Sequence, residues 1–284
     1  MHLASGESLF SGAGLLLLAL LGSVWCRARW ARLVRNLATW SALVLILGSS
    51  TPHPVWVDGL LVALCAAWLA AEEIESVRRR LSPVVLRIPL ACAVILVAAL
   101  EIPHTRAPQL PPAAGKRLYV IGDSISAGVG DRHPPWPELL AASGKVPVTN
   151  LAMAGATVGE AVGWASRVGE ADAVVLVEIG GNDLLDGTRP DEFERHLRAL
   201  LAALKRPGRT VVMLELPLVP FLAGYGRAQR RLAEEHGVFL VPKRIFAGIL
   251  AAPGATADGL HLSAAGTRLM AERLWPILAP ALGR

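Results

Sequence analysis

The rhythm of hydrophobic and polar positions changes near residue 103. Before it, apolar residues come in long, nearly unbroken runs; after it, they come in runs of five to eight between mixed stretches. The long runs occupy about 9–26, 37–51, 56–71 and 84–102. The first carries no charge from Ser8 to Cys26, close to the ~20 residues that cross a bilayer as a helix. The others are shorter or are interrupted by Asp58 and Arg87, the latter with a stem long enough to snorkel to a headgroup. Trp25, Trp30, Trp40, Trp56 and Trp68 lie near the run ends, where amphipathic rings meet a membrane interface. The pattern predicts a membrane region over 1–103 with four transmembrane helices.

Residues 103–115, "PHTRAPQLPPAAG", hold four prolines and no periodicity, which predicts a semi-rigid linker over 104–115. From 116 to 284 strand-like and helix-like stretches alternate. Strands are predicted at 117–122, 146–152, 173–180, 210–217 and 238–242, with helices at about 135–143, 157–168, 190–204, 224–236 and 263–280. Short Val- and Leu-rich runs between amphipathic stretches indicate an α/β domain with a parallel sheet covered on both faces. In such sheets the chemistry sits outside the C-terminal ends of the strands.

Composition sharpens this division. Of the 284 residues, 53% are apolar and 18% charged, against about a quarter charged in an ordinary soluble domain. The net charge of +5 is concentrated in the first part, where nine Arg face six acidic residues up to position 115; beyond it 19 basic residues face 17 acidic ones. The Arg cluster at 27, 29, 32 and 35 and at 78, 79, 80 and 87. This is membrane topology and not a nucleic-acid footprint. The opening "MHLASGESLF" has no Lys or Arg, the wrong charge for a cleaved signal peptide. With both Arg clusters cytoplasmic, four spans put the N-terminus outside, a short outer turn at "TPHPVW", and the C-terminal domain on the periplasmic or outer face. Losing one span reverses that side. Cys26, Cys65 and Cys92 all fall in the first part, so no disulfide framework is expected in the second.

The candidate chemistry lies at strand ends. Ser124 follows the first strand in "YVIGDSISAG", and a serine hydroxyl needs a base within reach to become a nucleophile. "DGLHLS" offers Asp258 and His261, a spacing that lets the carboxylate reach imidazole Nδ1 and fix the tautomer. Backbone N–H groups of Ser124 and Gly155, with the Asn182 side-chain amide, are the candidate oxyanion donors. Glu178 is unusual in an apolar strand and requires a partner. Asp123 and Asp183 suit loop-holding hydrogen bonds to backbone.

The blocks "GDS" at 122–124, Gly155, "GGND" at 180–183 and "DGLH" at 258–261 match, in order, the four blocks of the GDSL or SGNH hydrolase family, which this chain resembles over most of 117–275. The resemblance implies a flavodoxin-like sheet of order 2-1-3-4-5, a Ser124–His261–Asp258 triad and an oxyanion hole of Ser124, Gly155 and Asn182. "WPELL" (136–140), "VEIGGNDLLDG" (177–187) and Gly224–Arg227 look like the bacterial thioesterase and lysophospholipase subgroup, which normally has a signal peptide where this chain has a multi-span region. Trp136, Phe221 and Tyr225 are the candidate pocket residues, from the first helix and the apolar loop "PLVPFLAGYG". The resulting expectation is a membrane-anchored serine esterase on small-molecule or lipid acyl esters or thioesters, of lysophospholipase, thioesterase or arylesterase type. It needs no cofactor and no metal, and its oligomeric state is left open. The alternatives are an O-acetyl esterase or acyltransferase on envelope glycans, and a non-catalytic phosphate- or flavin-binding module. "GDSISAGVGD" has the Ser and Gly content of a phosphate loop but lacks the lysine of a Walker motif.

Overall fold

The structure, a computed structural model, describes residues 1–25, 28–112, 117–128, 133–143, 146–169 and 171–284. Cys26, Arg27, residues 113–115 of the expected linker and the expected domain start at Lys116 lie outside the described residues. Two compact units are formed, one over 2–105 with 218–223 and one over 106–217 with 224–284 and Met1.

The first unit is helical: α1 (Glu7–Trp25), α2 (Arg29–Leu47), α3 (Val55–Glu73), α4 (Glu75–Arg78) and α5 (Pro83–Glu101). Its core gathers Leu9, Leu16, Leu43, Ile46, Leu61, Trp68 and Leu90. Among the described residues three helices, Glu7–Trp25, Val55–Glu73 and Pro83–Thr105, are long and apolar enough to cross a membrane. The expected run at 37–51 differs. It belongs to a helix that begins at Arg29 and ends at Leu47, and Arg29, Arg32, Arg35 and Asn36 lower the apolarity of its first half. Arg35 is buried, bonded to Glu73 and 3.2 Å from Glu72, which also meets Arg87 at 2.6 Å. One acidic pair thus ties α2 and α5 to the end of α3.

The second unit is the α/β domain. Its strands are β1 (Leu118–Gly122), β2 (Val148–Asn150), β3 (Val174–Glu178), β4 (Thr210–Leu214) and β5 (Phe239–Val241), all parallel in the order β2-β1-β3-β4-β5. This is the flavodoxin-like order that the family resemblance implied. The three central strands are buried at every position, which is why they read as continuous apolar runs. Helices α6 (Ser124–Ala127), α7 (Trp136–Ala142), α8 (Val158–Ala161), α9 (Gly181–Leu185), α10 (Pro190–Leu204), α11 (Ala223–His236), α12 (Lys243–Leu250) and α13 (Ala264–Leu278) connect and cover the sheet. Of these α6 begins at Ser124, where the sequence places a helix start, while α9 and α12 go beyond the helices the sequence predicts. The expected helix at 157–168 is instead the single turn α8 followed by a 3₁₀ stretch over Val162–Arg167.

Candidate active site

The site is built where β1 stops. Gly122 ends the strand, Asp123 caps α6 and Ser124 is its first residue, half-buried. Asp is among the best N-caps because its oxygen accepts an otherwise orphaned N–H; here Asp123 Oδ1 accepts from Ile125 N at 3.0 Å. The Asp123 carbonyl takes the N–H groups of Ser126 (3.2 Å) and Ala127 (2.8 Å). Of the first four N–H groups in this helix, that of Ser124 makes no hydrogen bond to a described residue.

Because β1 lies between β2 and β3, the loops after all three strands meet on this edge. The β2 loop carries Gly155 at φ +80°, with open space where a Cβ would stand. Glycine is needed for that left-handed backbone, and no side chain of its own shields the N–H. The β3 loop turns into α9 with Asn182 in its first turn. Asn182 Nδ2 donates to the Ala156 carbonyl at 2.9 Å, which fixes the amide plane and leaves the second N–H of the amide for another acceptor. Asp183 Oδ2 accepts from Val158 N at 2.9 Å, joining α9 to α8. Both Asp123 and Asp183 therefore hold loops through backbone N–H groups.

Asp258 and His261 lie in the loop before α13. Asp258 Oδ1 accepts from the N–H groups of Leu260 (2.9 Å) and His261 (2.7 Å), while Oδ2 lies 2.7 Å from His261 Nδ1. The bond to the imidazole, then the two backbone donors, hold the Asp258 carboxyl well below the usual carboxylate range. An ionised Asp258 on Nδ1 leaves Nε2 as the working nitrogen. The pair lies between α12 and α13, in the segment that closes the chain's order of candidate residues. Burial pushes the Asp123 carboxyl up to about 6, against the lowering effects of the Ile125 N–H and His261 and with a further rise from Asp183. Ser124 Oγ makes no hydrogen bond to a described residue in this structure. Such nucleophile–base contacts commonly tighten only in the substrate complex.

The three aromatic candidates part company. Trp136 is fully buried, with Nε1 donating to Ser126 Oγ at 3.1 Å. Tyr225 is buried too, its hydroxyl bonded to the Thr188 carbonyl and its ring 5.1 Å from that of Phe193. Only Phe221 exposes its ring, at 90%. Glu178 is buried and has found its partner in Ser126 Oγ, at 2.7 Å, a residue that motif reading passes over because the contact depends on strand register. Among the described residues no three His, Cys, Asp or Glu side chains are grouped to hold a metal ion.

A sequence model of the GDSL-like Lipase/Acylhydrolase family matches residues 120–269, more than half of the chain. The chain belongs to that family. It is 31% identical over 187 residues to the Esterase TesA of Pseudomonas aeruginosa, covering 60% of this chain and 91% of that protein. It is 30% identical over 162 residues to the Thioesterase 1/protease 1/lysophospholipase L1 of Escherichia coli, covering 52% of this chain and 76% of the relative. The crystal structure of TesA superposes with a TM-score of 0.52 at 30% identity, over 58% of this chain and 99% of that one. As a GDSL-type hydrolase the chain is, by class, an enzyme acting on carboxylic esters.

Proposed function

We propose that this GDSL hydrolase is a membrane-anchored serine esterase that cleaves acyl esters or thioesters through Ser124, His261 and Asp258. His261 Nε2 takes the Ser124 proton as Oγ attacks the acyl carbonyl. The oxyanion is held by the N–H groups of Ser124 and Gly155 and by the free N–H of Asn182. Collapse expels the alcohol or thiol, which leaves with the proton from His261. Water then attacks the acyl-enzyme, giving up its proton to Nε2, and release of the acid returns that proton to Ser124 Oγ. Asp258 keeps the ring in the Nδ1–H tautomer throughout. The observation that carries this reading is the Asp258–His261 contact at 2.7 Å, together with a Ser124 that opens the helix directly after β1.

Relatives named as esterase and as thioesterase/lysophospholipase support an acyl ester substrate. The three long apolar helices support attachment to a bilayer, and the two Arg clusters support placing the α/β domain on the extracytoplasmic face. The full chain, purified in detergent, is to be assayed beside Ser124→Ala on p-nitrophenyl esters from acetate to palmitate. The wild type is expected to turn them over, and the variant to lose about 10³-fold or more in kcat. Equal rates for the two proteins would rule the mechanism out, and chain-length preference separates a lipid substrate from an acetylated one.

A further inference from the structure

Ser124 belongs to a helix of four residues. A single turn has no cooperative stability of its own, so something outside it must hold the nucleophile in place. Four contacts do so. The Glu178 carbonyl accepts from Asp123 N at 3.2 Å, and Glu178 Oε2 accepts from Ser126 Oγ at 2.7 Å. Ser126 Oγ in turn accepts from Trp136 Nε1 at 3.1 Å, and the Ser126 carbonyl accepts from Asn150 Nδ2 at 2.8 Å. Glu178 therefore grips the chain on both sides of Ser124, one residue before and two after. Ser126 is the hub that joins β3, β2 and α7. Ser126 and Trp136 are fully buried and Glu178 nearly so. Gly122 sits opposite Glu178 in the β1–β3 register, and a Cβ on it would fall 2.7 Å from that of Ser126. The packing is thus too close for any residue but glycine.

A carboxyl group is a costly filling for the last position of a central strand, and a leucine there would suit stability as well or better. We propose that Glu178 and Ser126 are positioning residues of this esterase, their buried hydrogen bond fixing the Ser124 turn against the sheet. Glu178 works as the neutral acid. Burial first, and then the neighbouring Asp123, push its carboxyl well above the usual range, against the hydrogen bonds from Ser126 and the Asp123 N–H. The role rests on the reading of Ser124 as nucleophile but is independent of which ester is cleaved.

The test uses the full chain in detergent as wild type, Ser124→Ala, Glu178→Leu, Glu178→Gln and Ser126→Ala. Each is titrated with a fluorophosphonate to count reactive sites, then measured for kcat, KM and Tm on a short soluble ester. A nucleophile displaced by an ångström costs about 10²-fold. Glu178→Leu and Ser126→Ala are accordingly expected to lose about that factor in kcat per titrated site, with KM within about threefold and Tm held. Glu178→Gln, which still accepts from Ser126, should recover most of the loss. If kcat per titrated site in Glu178→Leu and Ser126→Ala stays near wild type, the positioning role is wrong, whatever happens to Tm. Should Glu178→Leu fail to fold, the smaller Ser126→Ala change decides alone. An inactive wild type, or a Ser124→Ala variant equal to it, brings down the esterase reading and the positioning role with it; an active wild type with a dead Ser124→Ala isolates the outcome to Glu178 and Ser126.

Discussion

The carboxyl groups of Asp123 and Asp258 respond to pH in opposite senses. Asp258 is held below its ordinary value, so its contribution to the fold is present above about 4 and is lost on acidification. Asp123 is raised from 3.8 to about 6, chiefly by burial. Its neutral form favours the native state, so between about 4 and 6 the folded chain binds more protons than the unfolded one. Stability from Asp123 is then full below 4, declines as pH rises to 6, and stays lower beyond. An Asp123→Asn variant keeps the oxygen that caps Ile125 and removes the titration. Thermal unfolding from pH 4 to 7 should show the variant gaining on wild type by roughly 1–3 kcal/mol across that window, since one pKa unit is about 1.4 kcal/mol. The Asp258 effect is common to both proteins and cancels. A constant difference across the range would mean that Asp123 does not titrate there.

At the level of elements, a buried polar cluster ties two covering helices to the end of β4. Glu215, just past β4, is buried; Arg230 Nε of α11 lies 2.7 Å from it and Lys243 of α12 donates its backbone N–H at 3.2 Å. Burial raises the Glu215 carboxyl, but Lys243 and Arg230 outweigh it and the net shift is downward, so the group stays ionised and pins both helices to the strand end. Removing one partner of a buried ion cluster costs about 3–5 kcal/mol. Glu215→Leu is expected to lower Tm accordingly in a thermal melt, and an unchanged or higher Tm would contradict the pinning role. Such contacts also mark what the sequence can and cannot tell. The three central strands are legible because a strand buried on both faces is a continuous apolar run. The candidates Ser124, Gly155 and Asn182 are legible because each follows a strand-like run, whereas Asp258 and His261 are legible from their own spacing before α13. Helix α12 is missed because Lys243 and Arg244 open it directly after Pro242, although Ile245, Phe246 and Ile249 carry helical spacing. Helix α9 hides in "GGND", whose glycines read as a turn. The start of α2 is hidden by arginines that pair within the fold. The Glu178–Ser126 contact is invisible for a different reason: it exists only once β1 and β3 are in register.

For the whole molecule, the proposed function divides anchoring, by the apolar helices of the first unit, from chemistry in the α/β unit. Each long helix of the first unit has 19 residues, about 28 Å at 1.5 Å per residue, close to the ~30 Å hydrocarbon core. Three are apolar enough to span it. For α2 to be the fourth, its Arg-bearing first turns must lie at the headgroups and its apolar second half must cross; the proposed outward placement of the α/β domain requires that even count. Nucleophile and sidedness can be read in one measurement: a membrane-impermeant fluorophosphonate applied to intact cells, followed by peptide mass spectrometry of the full chain. A nucleophilic Ser124 on the outer face gives a single adduct on Ser124, absent from Ser124→Ala and formed without permeabilisation. Labelling of Ser124 only after permeabilisation would contradict the outward placement, and an adduct on another serine, or none on the purified active chain, would contradict Ser124 as the nucleophile.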